Sequence, residues 1–168
     1  MQLPLTTFIA EERTVADWNS IRTLLIDSDD SEHWKLVFDD YFFARLKSRY
    51  LNPIESIKQH SRCKGEGFSI MTIICSLIEF LETTYRGKNY RYVRKGDKPL
   101  RDFEYSSSSE IFRSFLTSHK PSSIETIVYR DDFYDALIQY IHNYQNDLLS
   151  YTERKSAFLR KFDRLCEE

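Results

Sequence analysis

The most apolar stretch of the chain, EGFSIMTIICSLIEFLETTY at residues 66–85, constrains the fold more than any other feature. From Phe68 to Leu81, ten of fourteen positions are apolar, which is more than the inward face of a surface helix requires. An apolar run of this length that contains Glu79 is also shorter than the roughly 20 residues that cross a bilayer. The stretch therefore predicts a central buried helix over residues 67–85.

The polar residues within this helix are regularly spaced. They alternate at intervals of three and four and so share one narrow stripe: Ser69, Thr72, Ser76, Glu79 and Thr83. We expect the stripe to need polar partners, water or a ligand. Glu79 is our candidate for a general acid or base there, and the alternative is an ion pair with a basic residue of a neighbouring helix.

The rest of the chain predicts an all-α fold. Four glycines and four prolines are too few for the many tight turns of an all-β domain. Capped segments with apolar three-four spacing predict further helices at 15–26, 31–51, 53–60, 110–116, 132–150 and 152–165. Thr14 and Asn52 are the expected caps of the first and third of these helices, and residues 1–13 are left open between a strand and an extended arm. The helix at 132–150 is expected to bury one apolar stripe: Phe133, Leu137, Tyr140, Ile141, Tyr144 and Leu148. The last helix is expected to direct four cations outward: Arg154, Arg160, Lys161 and Arg164. We expect one domain over residues 1–168, a compact bundle of six or seven helices around the central helix, and a small hairpin near residues 90–101.

The segment RGKNYRYVRKGDKPLR, residues 86–101, has a net charge of +6 in a chain whose net charge is −2. Tyrosines interleave with the cations, which is typical of surfaces that neutralise phosphates and stack bases. The alternative is a solvated basic loop that pairs with the acidic remainder of the chain. The predicted RNA-binding residues are Arg86, Lys88, Tyr90, Arg91, Tyr92, Arg94, Lys95, Lys98 and Arg101.

No metal site or cofactor is expected, since the sequence lacks GxSxG, GxxxxGK[ST] and HExxH motifs and paired Cys-His spacings. The three cysteines, Cys63, Cys75 and Cys166, are widely spaced and are expected to be reduced thiols. The chain begins without an export leader, which indicates a cytoplasmic protein that does not enter a membrane.

Arg113 and His119 are separated by five residues in RSFLTSH. This spacing resembles the R-x(4 to 6)-H motif of HEPN ribonucleases, which are small all-helical proteins. The resemblance implies that His119 would perform acid–base chemistry on the ribose 2′-hydroxyl and that Arg113 would hold the scissile phosphate. It also implies that no metal is required and that a dimer often completes the site.

A wider resemblance covers residues 65–166. The strings GEGFSIMTIICSLIEFLET, GKNYRY, FLTSHKP, DDFYDAL and RKFDRLC are similar to an uncharacterised group of bacterial helical proteins of the HEPN class. That group carries its arginine-histidine motif in an Arg-x-Gly-Leu-Leu-His-Glu helix, where this chain has only SSIETIVYR between Pro121 and Asp131. Either this chain is a binding protein without that site, or it lacks a segment that the natural protein contains.

These observations lead to two functional expectations. The first is an HEPN-like protein that engages RNA, as a candidate metal-independent endoribonuclease of a bacterial defence or toxin system. The alternative is a non-catalytic helical module for protein–protein interaction. The expected partners are RNA and either a second copy of the chain or another protein.

Overall fold

The structure, a computed structural model, describes residues 3–28, 30–60, 65–118 and 130–167. Side chains are described throughout these ranges except at residues 118 and 130–136. The sequence predictions that concern Cys63, His119 and Phe133 therefore lie outside what the structure describes.

Helices dominate the described chain. They are α1 (Val15–Asp27), α2 (Ser31–Val37), α3 (Ala44–Leu46), α4 (Asn52–Gln59), α5 (Glu66–Arg86), α6 (Ser108–Ser118), α7 (Arg130–Ser150) and α8 (Thr152–Leu165). Two π-helical segments, Phe38–Phe43 and Lys47–Leu51, join α2, α3 and α4 without a break into one composite helix, residues 31–59. With that helix counted once, the described residues form six helical stretches. The predicted all-α fold is confirmed.

The predicted break at Asn52 and Pro53 is wrong, because Leu51 and Asn52 both keep right-handed helical backbone angles. A proline inside an α-helix lacks a donor and clashes with the carbonyl four residues earlier. The π-helical segment Lys47–Leu51 directly precedes this position, and its wider turn provides room for the ring. The capping signal at residue 52 therefore marks a local change of helix type.

Two pairs of very short strands accompany the helices. In the first, β1 (Phe8–Ala10) pairs antiparallel with β2 (Arg13–Thr14), so the N-terminal segment that the sequence left open forms a hairpin. In the second, β3 (Asn89–Tyr90) pairs with β4 (Glu104–Tyr105) in parallel. The predicted hairpin near 90–101 is therefore wrong: the chain turns at 94–97, and its paired strands lie at the two ends of the loop.

The chain divides into two compact units, with residues 1–80 and 162–168 in unit 1 and residues 81–161 in unit 2. The sequence prediction of a single domain stays a prediction. In unit 1, the buried Trp18 ring packs against Tyr41 and Phe162 with centroid distances of 5.4 and 5.2 Å. Its indole Nε1 donates to the Asp163 carboxylate at 3.0 Å, so this large buried side chain also has its polar atom paired.

Unit 2 is built around α7 and the parts of α5 and α8 that belong to it. The apolar stripe predicted for α7 is confirmed for its described members, all of which are buried: Leu137, Tyr140, Ile141, Tyr144 and Leu148. The Tyr85 ring packs edge-on against Tyr144 at 5.5 Å, and its hydroxyl donates to Asp147 at 3.0 Å. Aromatic packing thus fixes the C-terminal part of α5.

The prediction that α5 is buried holds only for its C-terminal half. Leu77 and Leu81 are fully buried, whereas Phe68 is 82 % exposed and Met71 58 % exposed. Two hydroxyls of the polar stripe find polar partners, as expected: those of Thr72 and Ser76 donate to the helix carbonyls of Phe68 and Thr72 at 2.9 and 3.1 Å. These two hydroxyls therefore find partners within their own helix.

By length and composition alone, α5 is also the one helix among the described residues that could cross a membrane. The core helix of a soluble protein has the same composition, and the second half of α5 is buried within the protein. The structure is thus in keeping with a soluble protein, and the cytoplasmic location stays a prediction.

Candidate nucleic-acid interface

The basic segment leaves α5 through a tight glycine turn in unit 2. The amide of Lys88 donates to the Thr83 carbonyl at 2.8 Å, and that of Gly87 donates to Thr84 at 3.1 Å. Together with the left-handed φ of +62° at Gly87, these bonds form a Schellman motif, a common way to end a helix. The turn therefore sets the direction in which the following loop, residues 88–103 (the basic loop), begins.

Helix α8 supports this turn with side chains that we had expected to face outward. Arg160 and Lys161 donate to the carbonyls of Gly87 and Lys88, each at 3.4 Å. Arg154 donates to the Tyr85 carbonyl at 3.0 Å, and its guanidinium carbon lies 3.8 Å from the Tyr85 ring centroid. Cations at a helix C-terminus satisfy its last carbonyls and complement its dipole, so these three side chains hold the base of the loop.

Arg91 clamps the two arms of the basic loop together. Its Nη2 donates to the carbonyls of Lys98 and Pro99 at 2.7 and 2.8 Å, and its Nε lies 3.1 Å from a Glu104 carboxylate oxygen. The backbone of the same residue donates to the Tyr105 carbonyl at 2.8 Å. One arginine therefore ties β3, the far arm of the loop and β4 to one another.

The tip of the basic loop is a turn at residues 94–97. The amide of Asp97 donates to the Arg94 carbonyl at 3.1 Å, and the Asp97 carboxylate accepts from the Arg94 amide at 2.7 Å. Gly96 supplies a φ of +96° that other residues rarely adopt. The acidic side chain in the middle of the cationic stretch, Asp97, thus stabilises the turn by accepting a hydrogen bond from its backbone.

The outer edge of the basic loop is cationic and aromatic. Every residue from 92 to 102 is exposed, and the Tyr92 side chain is 67 % exposed. The Arg94 guanidinium lies 5.9 Å from the Tyr92 ring centroid, and that of Arg101 lies 5.6 Å from the Phe103 ring. The edge therefore presents positive charge beside ring faces, the two features that single-stranded nucleic acids require.

The structure separates the predicted RNA-binding residues into two groups. Arg86, Arg91 and the half-buried Lys88 belong to the base of the loop, where the first two form ion pairs with Glu82 and Glu104. The remaining members are exposed and form the outer edge: Tyr90, Tyr92, Arg94, Lys95, Lys98 and Arg101. Tyr90 belongs partly to both groups, because it is 47 % exposed while its ring packs edge-on against Tyr105 at 5.6 Å.

A buried carboxylate lies at the start of this region. Glu82 is fully buried, and its Oε1 accepts from Arg86 Nε and from the Ser114 hydroxyl, the latter at 2.7 Å. Burial of nearby Tyr85 raises the pKa of its phenol, although Arg154 acts in the opposite direction. The i, i+4 spacing of Glu82 and Arg86 was visible in the sequence, but nothing there indicated a contact with Ser114 on α6.

The structure does not assemble the three candidate catalytic residues into one site. Arg113 is exposed on α6 in unit 2, and His119 lies outside the described residues. Glu79 is half-buried in unit 1, near enough to Tyr50 to contribute to the raised pKa of that phenol, which is due mainly to burial. The Arg113 and His119 pair thus stays a prediction from the sequence.

Comparison of the chain with protein-family models, with curated proteins and with solved structures finds no match.

Proposed function

We propose that this protein binds single-stranded RNA along the outer edge of its basic loop. The observation that carries the proposal is the Arg91 clamp, which fixes a loop whose outer residues are exposed cations and tyrosines. A preformed cationic edge loses little conformational entropy when it binds. Lysine and arginine side chains there would replace counterions on the phosphates, and Tyr92 would stack on a base.

The strength of binding should depend steeply on salt. Each phosphate contact on a single strand contributes about −0.7 to the slope of log affinity against log salt concentration. Four contacts, from Arg94, Lys95, Lys98 and Arg101, would give a slope of about −3, which corresponds to roughly a 50-fold loss of affinity between about 50 and 200 mM salt. Stacking on Tyr92 would add about 1–3 kcal/mol that salt affects little.

A matched pair of charge-reversal variants tests the proposal. The first changes Arg94, Lys95 and Lys98 to glutamate, and the control changes Lys35, Lys47 and Arg49, which are exposed cations of unit 1. Both variants lose the same net charge, so a general electrostatic effect would weaken both equally. We expect titrations of fluorescent single-stranded RNA to show weak, salt-insensitive binding for the first variant only. Equal binding by the two variants would refute the proposal.

Arg86 and Arg91 are unsuitable for this test, although the sequence suggested both as RNA contacts. Their side chains form the ion pairs at the base of the loop, so their replacement would disturb the fold together with the charge. The variants above leave both residues in place.

RNA cleavage is the further step that the HEPN resemblance suggests, with Arg113 and His119 as the candidate residues. It is tested by incubating labelled RNA with the wild type, Arg113→Ala and His119→Ala in EDTA. Cleavage that both variants lose would support a metal-independent nuclease. Intact RNA that the wild type nevertheless binds would restrict the function to RNA binding.

A second candidate function is that of a protein-interaction module, favoured by the exposed apolar side chains of Phe68 and Met71 on α5. Large exposed apolar groups in close proximity are typical of interaction surfaces. If the protein does not bind RNA even at low salt, the protein-interaction module becomes the better supported of the two candidate functions.

A further inference from the structure

The pattern of an arginine followed three residues later by an acid occurs twice at the basic loop, in RKGD at residues 94–97 and in RDFE at residues 101–104. Both segments form the same hydrogen bonds. The amide of the acid donates to the carbonyl of the arginine, at 3.1 Å in the first segment and 2.9 Å in the second. The carboxylate of the acid accepts from the amide of the arginine, at 2.7 and 2.9 Å. One four-residue turn is therefore built twice.

In both turns the carboxylate binds the backbone of the arginine. Among the described residues, neither Asp97 nor Glu104 forms an ion pair with the guanidinium of its own turn, and Glu104 pairs with Arg91 instead. An acid beside a phosphate-binding surface weakens that surface by repulsion. These two acids also fix the backbone angles of Arg94 and Arg101, and so set the direction in which each arginine side chain leaves the loop.

Each turn presents its arginine beside an aromatic ring. The Arg94 guanidinium lies 5.9 Å from the Tyr92 ring centroid, and that of Arg101 lies 5.6 Å from the Phe103 ring centroid. Both arginines are exposed. Each pair combines a cation for a phosphate with a flat surface for a base. We call Tyr92 with Arg94 subsite 1, and Arg101 with Phe103 subsite 2.

The two subsites offer different surfaces for stacking. Tyr92 is 67 % exposed, so a base can lie directly on its ring. Phe103 is half-buried, and a second guanidinium, that of the exposed Arg160 on α8, lies 5.2 Å from its ring centroid. A base at subsite 2 would therefore stack on the Arg101 guanidinium plane, as bases of single-stranded RNA do in other proteins.

We propose that one RNA strand occupies both subsites, that Asp97 and Glu104 position their arginines, and that the ligand is therefore a single strand long enough to reach both. This inference rests on the proposed RNA binding. The seven residue steps from Arg94 to Arg101 span at most about 25 Å when extended. Phosphates of a stacked strand follow one another at about 3.4 Å. Strands of about eight nucleotides or more therefore reach both subsites, whereas a trinucleotide reaches one.

Strand length tests the presence of two subsites. Unlabelled oligouridines of about 3 and about 12 nucleotides, which lie on either side of the expected limit, compete with a labelled 12-mer for the protein. Arg94→Gln and Arg101→Gln should each weaken binding of the short strand by no more than about twofold, because the other subsite still accepts it. Each should weaken binding of the long strand by about tenfold or more, because the linkage between two contacts is lost. Equal losses for both lengths would overturn the two-subsite arrangement.

Three variants test the positioning role of Asp97. Asp97→Ala removes the charge and the acceptor, whereas Asp97→Asn removes only the charge, since its amide oxygen can still accept from the Arg94 amide. Asp102→Ala removes the charge of another exposed acid of the loop. If acids act by charge alone, all three variants bind RNA at least as tightly as the wild type. We expect Asp97→Ala alone to bind the long strand more weakly, by about three- to tenfold, the cost of ordering one arginine side chain on binding.

The outcomes separate this inference from the proposed function. If the wild type binds RNA and Asp97→Ala binds as tightly or more tightly, the positioning role is overturned and RNA binding stands. Weak binding by Asp97→Asn as well as Asp97→Ala would also overturn it, because the acceptor would then have no effect. A wild type that binds neither strand would overturn both. Glu104 is left unchanged in these variants because it also pairs with Arg91.

Discussion

Of the glycine-to-alanine substitutions at the described glycines, Gly87→Ala should be the most destabilising, and its effect should fall on unit 2. Gly87 is at the Schellman turn between α5 and the basic loop, with a φ of +62°. A Cβ there would lie 2.7 Å from the Cα of Ala157 and 2.8 Å from its Cβ. Both a backbone conformation and a close approach to α8 therefore require glycine.

The two requirements can be expressed as free energies. A left-handed backbone costs an ordinary residue about 1–2 kcal/mol, and insertion of a methyl group into packed atoms typically costs about 1–3 kcal/mol. The contacted atoms are the backbone and Cβ atoms of Ala157 on α8. Rotation of a side-chain bond cannot move these atoms away from the added methyl group. Gly87→Ala should therefore lower the free energy of unfolding by about 2–5 kcal/mol, which corresponds to a urea midpoint about 1–2 M lower.

Gly96→Ala is the matched control. Gly96 also has a positive φ, +96°, but a Cβ there would have no atom within 4 Å. Gly96→Ala should therefore lower the free energy of unfolding only by the cost of the left-handed backbone, about 1–2 kcal/mol. Urea unfolding followed by far-UV circular dichroism is the suitable assay, because both tryptophans, Trp18 and Trp34, belong to unit 1 and would not report on unit 2.

The difference between the two glycine variants decides the argument. If Gly87→Ala and Gly96→Ala lower stability equally, the contact with Ala157 has no energetic consequence and the argument from close packing is refuted. Adding Ala157→Gly to Gly87→Ala removes the Cβ but not the Cα of the contact, so it should restore only part of the loss. Complete restoration would show that the side chain alone caused the clash.

Three further predictions concern other parts of the two units. Burial raises the pKa of Tyr41 from 10.0 to about 12 and that of Cys166 from 9.0 to about 11. The unfolded chain therefore releases these protons first, and stability should fall between pH 9 and 12 by up to about 1.4 kcal/mol per pH unit for each group. The urea midpoint of the wild type should decrease as the pH is raised across this range. Above pH 10 the midpoint of Tyr41→Phe should decrease less steeply than that of the wild type. Arg86→Met removes the cation paired with the buried Glu82 and should lower the free energy of unfolding by about 2–3 kcal/mol, measured by circular-dichroism melts. The loss is smaller than for a fully buried pair because the Arg86 side chain is 38 % exposed. Adding Glu82→Gln to Arg86→Met should recover most of this loss, and no recovery would contradict the charge argument. Thr14→Ala removes the capping box with Asp17 and should cost about 1 kcal/mol by tryptophan fluorescence, whereas an unchanged midpoint would show that the hairpin alone holds the start of α1.

Apolar periodicity and caps sufficed to predict where most helices begin and end. Thr14 caps α1 as expected, with its side chain accepting from the Asp17 amide and the Asp17 carboxylate accepting from the Thr14 backbone. These signals work because they act within a few residues of one another. Pro53 shows their limit: the same residues that start a helix can lie within one when a π-helical turn precedes them, and the sequence does not reveal that turn.

The candidate site was predictable in composition but not in arrangement. The cluster of cations and tyrosines at 86–101 was evident, and most of its members are exposed. Its organisation depends on contacts distant in sequence, such as Arg160 with the Gly87 carbonyl and Ser114 with Glu82. A single sequence states the charge of Arg91 but not that its guanidinium is directed at the carbonyls of its own loop.

Helix α5 shows why an apolar run alone does not separate a core from an interface. Burial of Phe68 against the same chain or against a second chain removes the same kind of surface from water, at about 25 cal/mol per Å² in either case. Charge is the better discriminator, because a helix face that stays in water normally carries charged residues. Residues 67–78 carry none, although Phe68, Met71 and Thr72 are exposed in the part of the chain that the structure describes. The absence of charge on this exposed face therefore favours the second candidate function, a surface for interaction with another protein.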